Sequence, residues 1–306
     1  MAWAPYYRGD GQARDVKLPE PPPWRQFPRT EQESAKTFQP PPGLVDAVNA
    51  ALCLHRPLLL TGAPGSGKST VVDSIATELR LGVPLRWHIT SRSTLTEALY
   101  RYDALGRLDA TQHGEADDIG RFVELGPLGT ALLPGDRPRA VLIDEIDKSD
   151  IDLPSDLLNV LELGEFTIPE LSRHKDSRVT VRRSGGDGTA EIVNGKVQCT
   201  TFPVIVMTSN GERDFPAPFL RRCIRFDVPN PDADALTAIV RAHLGVEAEA
   251  RTKDLVTRFL QDLESKKNVA TDQLLNAVFL VNGHLDGDSE QRAKLANLLL
   301  RALSDG

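Results

Sequence analysis

Apolar positions along the chain recur with two periods, and each period predicts its own kind of element. From Gly43, the residues Leu44, Val45, Val48 and Leu52 fall on one face of a helix. A short apolar strand, Pro57 to Leu60, comes next. It leads into a glycine-rich turn and a helix with Val71, Val72, Ile75 and Leu79 on one face, stopped near Gly82. Leu85 to Ile89 reads as a strand, and residues 93–139 mix helix, turn and strand signals. Ala140 to Ile143 is apolar at every position, as a parallel strand buried on both faces requires. Pro154 to Leu163 reads as a helix. Residues 178–199 read as a β-hairpin: Val179-Thr180-Val181 alternates, Gly185-Gly186-Asp187-Gly188 turns, and Ile192 to Val197 returns around Asn194-Gly195. Phe202 to Met207 is another buried strand and Ile224 to Val228 a last short one.

After Pro231 the strand signals stop. Ala233 to Leu244, Lys253 to Leu263, Asp272 to Asn282 and Glu290 to Leu303 each carry helical periodicity. Strands alternating with helices, then helices alone, predict an α/β domain with a parallel sheet sandwiched by helices over residues 43–230. A small all-helical lid is predicted over residues 231–306. Residues 1–42 stand apart. Nine prolines, from Pro5 to Pro42, exclude regular structure there, while Trp3, Tyr6, Tyr7 and Trp24 are unusual for a plain linker. An extended arm draped over the main domain is expected. No internal repeat is visible.

Composition changes the picture little. The chain has 306 residues, 40% hydrophobic and 26% charged, as in ordinary globular proteins. A formal net charge of -7 argues against a protein that coats duplex DNA, which needs a basic face. Cys53, Cys199 and Cys223 are odd in number and widely spaced, so neither a disulfide framework nor a zinc site is implied. No apolar run approaches the ~18–20 residues of a membrane span, and Met1 to Asp10 holds no apolar signal core. A cytoplasmic location is expected.

The chemistry is concentrated in a few places. Gly62-Ala63-Pro64-Gly65-Ser66-Gly67-Lys68-Ser69, followed by Thr70, fits G-x-x-x-x-G-K-[ST] between a strand and a helix. Its glycines let backbone N–H groups turn inward around phosphates. Lys68 should reach the β- and γ-phosphates and the Ser69 hydroxyl should bind Mg²⁺. A second motif, Val141-Leu142-Ile143-Asp144-Glu145, ends an apolar strand in two acids. Asp144 is expected to hold Mg²⁺ and Glu145 to orient and deprotonate the attacking water. Either motif alone could be a plain turn; the pair in order is far more specific. Asp147-Lys148-Ser149-Asp150 resembles a guanine-reading motif, but it begins three residues after Asp144, which leaves no room for the separate strand that motif needs. Adenine is therefore the expected base. Asn210, at the tip of the Phe202–Met207 strand, can hold the water or the γ-phosphate. Arg221, Arg222 and Arg225 cluster on a helix running into the last strand.

This ordered set resembles an AAA+ ATPase. The segment Thr94 to Leu128 is similar to an insert in the second helix, and 178–199 to an insert before the asparagine strand; together they resemble the MoxR branch. The resemblance covers roughly residues 43–285. It implies a homo-oligomeric ring, usually a hexamer, with ATP and Mg²⁺ at subunit interfaces. Arg222 is implied as the finger that completes the neighbour's site, with Arg221 in reserve, and Asn210 as the sensor. It also implies chaperone-like remodelling of protein partners, often with von Willebrand factor A domain proteins. One departure stands out: where the branch carries a lid arginine, this chain reads Ala270-Thr271-Asp272-Gln273. Either Gln273 substitutes weakly or sensing by the lid is altered, with slow hydrolysis expected.

Two other functions compete with this one. A ring motor on nucleic acid rests only on the basic cluster Arg173, Lys175, Arg178, Arg182 and Arg183. A small-molecule kinase predicts a monomer and no role for Arg222.

Overall fold

The computed structural model describes residues 9–27, 35–113, 118–186, 188–265, 270–284 and 299. Its strands are β1 (Leu58–Thr61), β2 (Leu85–His88), β3 (Tyr100–Tyr102), β4 (Val123–Leu125), β5 (Ala140–Asp144), β6 (Glu165–Thr167), β7 (Arg178–Arg182), β8 (Thr189–Val193), β9 (Lys196–Gln198), β10 (Val204–Ser209) and β11 (Ile224–Asp227). By contact the chain forms two compact units. One comprises Pro42–Gly62 and Lys68–Val228; the other comprises Met1–Pro41, Ala63–Gly67 and Pro229–Gly306.

The first unit is built on a five-stranded sheet in the order β11-β1-β10-β5-β2, parallel throughout. Its central strands read as continuous apolar runs because both faces are covered. Val141, Leu142 and Ile143 are each at most 1% exposed, and each such burial contributes roughly 1.5–3 kcal/mol. Because all five strands run the same way, every carboxyl end lies on one edge, where ligands of open α/β sheets bind. The helix Leu44–Leu54 buries Leu44 and Ala51 but leaves Val45 exposed, so its inward face is rotated from the expected one. Likewise the helix Val71–Glu78 buries Val71, Val72, Ile75 and Ala76, while Leu79 falls just beyond it and is exposed.

A second sheet of six strands, in the order β3-β4-β7-β8-β9-β6, was not expected. It joins the two inserted segments: β4 from the first pairs with β7 from the second at Glu124 and Arg182. Residues 178–199 form three strands rather than one hairpin. Asn194 and Gly195, at φ 52° and 68°, make a two-residue turn between β8 and β9. Val179, Val181, Ile192 and Val197 point inward and belong to the same hydrophobic core as Leu59, Trp87 and Ile143. The approach is close at Gly120, where a Cβ would lie 2.0 Å from the Thr180 carbonyl oxygen.

The second unit holds the helices Ala233–Leu244, Val246–Arg251, Lys253–Glu264 and Thr271–His284. Leu236, Val240, Phe259, Leu274 and Val278 form its separate core. The six-residue helix Val246–Arg251 carried too few turns to register as a period. The expected helix from Glu290 to Leu303 lies outside the described residues, apart from Leu299. Trp24 of the arm packs against this core. Trp24 donates from Nε1 to Asn276 Oδ1 (3.1 Å) and meets His243 and Phe279 edge-on.

Candidate functional site

Three strand ends of the parallel sheet assemble the site. The phosphate loop leaves β1, the acidic pair closes β5, and Asn210 follows β10, which lies between them. The loop needs its glycines, since Gly62, Gly65 and Gly67 sit at φ 151°, 70° and 81°, where other residues are strained. Lys68 is 7% exposed, and its Nζ donates to the Gly62 carbonyl at 2.8 Å. Burial pushes its pKa down, opposed by the charges of Asp147, Asp144 and Glu145. Ser66 Oγ is buried without a hydrogen-bond partner among the described residues, an orphaned donor suited to a phosphate oxygen.

Asp144 Oδ1 is the meeting point of two hydroxyls. Ser69 Oγ donates to it at 2.7 Å and Thr208 Oγ1 at 2.6 Å. A hydroxyl and one carboxylate are hard oxygen donors of the kind Mg²⁺ takes when phosphates and waters complete its shell. The donor set therefore fits that ion, although no group of three or more His, Cys, Asp or Glu converges among the described residues. Glu145 takes a left-handed backbone conformation, φ 59° and ψ 48°, costly for a non-glycine and characteristic of functional sites. Its backbone N–H donates to Thr208 Oγ1 (2.8 Å). Its carboxylate is held at both oxygens: Asn210 Nδ2 donates to Oε1 at 3.3 Å, and Lys148 Nζ to Oε2 at 2.8 Å. That bond raises the Lys148 pKa. His88, at the end of β2, lies 3.5 Å from both Asp144 Oδ2 and Glu145 Oε2.

Sequence reasoning missed Thr208, His88 and Lys148. Thr208 precedes Asn210 on a strand already identified and offered a hydroxyl at its tip. Lys148 belonged to the dismissed guanine-like motif. In the fold that motif is a brace. Asp147, 3% exposed, accepts the backbone N–H groups of Asn210 (2.9 Å) and Glu212 (3.1 Å), and Ser149 O accepts Arg213 Nη1 at 2.6 Å. Beside these groups opens a cleft of about 520 Å³, bounded by His88, Glu145, Asp147, Lys148 and Arg213. A mainly apolar cavity of about 100 Å³ against Leu52 and Phe202 lies at the amino ends of the strands, away from the acids.

Phosphate loop, acidic pair and asparagine thus meet on one sheet edge, and residues 57–223 match the family described as AAA domain (dynein-related subfamily). The chain belongs to this family. Among solved structures, it is similar to the crystal structure of domain III of the replication initiation protein DnaA from Thermotoga maritima. Identity is 15% and the TM-score 0.46, over 90% of this chain and 100% of that one. No curated protein sequence matches it.

Membership makes this AAA domain a nucleotide-binding protein. The arginine cluster lies apart from the Asp144–Asn210 group. Arg222 Nε pairs with Glu162 Oε2 at 2.6 Å and its Nη1 donates to Pro218 O at 3.2 Å. Arg221 is exposed on the helix Ala217–Leu220 side of the turn. Among the described residues no helix is long and apolar enough to cross a membrane.

Proposed function

We propose that this chain is an ATP-hydrolysing ring ATPase of the MoxR type that remodels or activates protein partners. The observation that carries the reading is the grip on Glu145: Asn210 holds one carboxylate oxygen beside Asp144, itself tied to the phosphate-loop Ser69. That is a base placed next to a magnesium ligand, on the edge where a terminal phosphate would lie. Lys68 would balance the charge of the β- and γ-phosphates. Ser69 and Asp144 would hold Mg²⁺, whose chemistry is to neutralise charge on the phosphate oxygens. Glu145 would orient a water and accept its proton at a carboxylate oxygen, with Asn210 keeping that group in place. Arg222, with Arg221 as the second candidate, would serve the pocket of a neighbouring copy in a ring. In these terms residues 1–42 are an arm, 43–230 the ATPase domain and 231–306 the lid. A von Willebrand factor A domain protein is the class of partner to look for.

The nucleic-acid reading is weakened, not removed, by the second sheet. Arg178 pairs with Glu191, and Arg182 lies 3.3 Å from Glu124, so two of the five cations of that cluster are matched by cross-strand acids. The test of the leading reading is phosphate release from ATP by the purified chain with Mg²⁺, compared with Glu145→Gln. Equal rates from both proteins would overturn it.

A further inference from the structure

Two arginines at the amino end of the parallel sheet lack the counter-charges that nearby cations have. On the outer face of the second sheet, Arg178 pairs with Glu191, Arg182 with Glu124 and Lys196 with Glu165. Those pairs are largely exposed, where pairing contributes little. Arg183 comes one residue after Arg182, so alternation turns it to the inner face, that of Val179 and Val181. Its position is fixed by its neighbours. The Arg183 backbone N–H donates to the Gly188 carbonyl at 2.9 Å, and that of Ser184 to the Oγ1 of buried Thr130 at 2.9 Å. A Cβ on Gly185 would stand 3.1 Å from Leu85 Cδ2, and Leu85 is level with Val141 in the parallel sheet. The stretch therefore passes the amino ends of β2 and β5. Arg139 stands there, two positions before Val141 and on the same face of the sheet.

Both arginines are half-buried. Arg139 Nε is buried without a hydrogen-bond partner, and neither guanidinium meets an acid among the described residues. Burial, and then the charge of Arg183, push the Arg139 pKa down. An arginine can lay its stem on apolar surface and keep its head in water. That accounts for a lone arginine, but not for a buried, unpartnered Nε beside a second cation. Like charges brought together out of water are costly unless an anion joins them. We propose that Arg139 and Arg183 form an anion site that takes a phosphate group, as inorganic phosphate or as a small phosphate monoester. Two guanidinium groups match its charge of about −1.5 to −2 and offer donors to its three oxygens, whereas a carboxylate brings a single charge. This is not the nucleotide site. Arg139 stands at the start of the strand that Asp144 ends, so about 16 Å of extended backbone separates them. The inference does not rest on the nucleotide reading.

The experiment titrates inorganic phosphate into the full chain by calorimetry at low chloride. Lys68→Ala is the starting protein, so that the phosphate loop competes least for the probe. Arg183→Gln and Arg139→Gln are each added to it. Lys68→Ala should keep a phosphate site, and either glutamine should weaken that site about 10- to 100-fold, as loss of charged hydrogen bonds does. Melting temperatures guard against a variant that merely folds badly. Without phosphate, Arg183→Gln should melt no lower than its Lys68→Ala parent, because it removes a repulsion. With phosphate, Lys68→Ala should gain melting temperature and the Arg183→Gln protein should not. Phosphoserine and acetate are titrated in the same way. Binding of phosphoserine beside phosphate assigns the site to monoesters, and binding of phosphate alone assigns it to the free ion. Acetate bound as tightly as phosphate, no phosphate site in Lys68→Ala, or the same affinity and melting response with and without Arg183 would overturn the proposal.

Discussion

Ser69 Oγ lies 2.7 Å from Asp144 Oδ1 although 75 positions separate them along the chain. They come from strands that are not neighbours, since β10 runs between β1 and β5, and Thr208 on β10 donates to the same oxygen. A carboxylate oxygen shared by two hydroxyls is a compact hard-oxygen group, fitted to a small divalent ion with bound phosphate. Turnover should therefore stop when divalent cations are chelated and return on adding Mg²⁺. Asp144→Asn should raise the Mg²⁺ concentration needed for half-maximal rate. A cation-independent rate would contradict this assignment.

Lys68→Ala should weaken ATP binding. The ammonium is buried and bonded to the Gly62 carbonyl, poised at the mouth of the loop. Charged hydrogen bonds contribute about 1.5–3 kcal/mol, so affinity should fall about 10- to 100-fold. Titration calorimetry measures it directly, and an unchanged affinity would remove Lys68 from the phosphate site.

Glu145→Gln should bind ATP as the parent does and lose about 10²- to 10⁴-fold in turnover, because an amide keeps the shape but takes no proton. The amide can still meet Asn210, so folding should be unaffected. Single-turnover phosphate release decides the matter; parental rates would mean that another group is the base.

Much of this site was legible because its chemistry is local. The phosphate loop is a contiguous pattern, and Asp144-Glu145 ends an apolar run too continuous for anything but a buried strand. The second sheet was not legible, because its pairing is nonlocal and its pieces are short. Tyr100–Tyr102 and Val123–Leu125 offer three residues each, too few to establish a period. Nothing in either segment announces that Glu124 will sit opposite Arg182. The role of Lys148 was not legible for a similar reason: it appears only once the left-handed turn at Glu145 brings its ammonium back onto the carboxylate.

That second sheet also decides what residues 178–199 contribute to stability. A hairpin at 178–199 outside the core could be shortened at little cost, whereas the three strands found there bury Val179, Val181, Ile192 and Val197 in the main core. Replacing residues 178–199 with a short turn should prevent folding. Ile192→Ala, at a site only 2% exposed, should cost about 2–5 kcal/mol, read as a lowered denaturant midpoint. A shortened protein that melts at the parental temperature would show that the sheet is a detachable appendage.

Arg222 should act on nucleotide held by a neighbouring copy. In its own chain it is committed elsewhere, paired with Glu162 and with the Pro218 carbonyl. Both side chains of that ion pair are substantially exposed, and such pairs contribute little, so Arg222 can be drawn off by a stronger anion. A cation placed where charge builds on the departing phosphoryl group stabilises the transition state selectively, and in GTPases such a finger contributes roughly 10³–10⁵ in rate. Arg222→Ala should thus lose turnover far more than affinity. Mixing it with Lys68→Ala tests whether the action crosses subunits. At ATP concentrations too low to fill its weakened pocket, the Lys68→Ala copy still has an intact arginine, which it can lend to the sound pocket of an Arg222→Ala neighbour. Partial recovery of phosphate release in mixed assemblies supports action in trans. If assemblies shown to be mixed recover nothing, the same experiment with Arg221→Ala, whose side chain is the more exposed of the two, separates the remaining possibilities. Recovery there makes Arg221 the finger. Failure with both means that neither arginine reaches across to a neighbour.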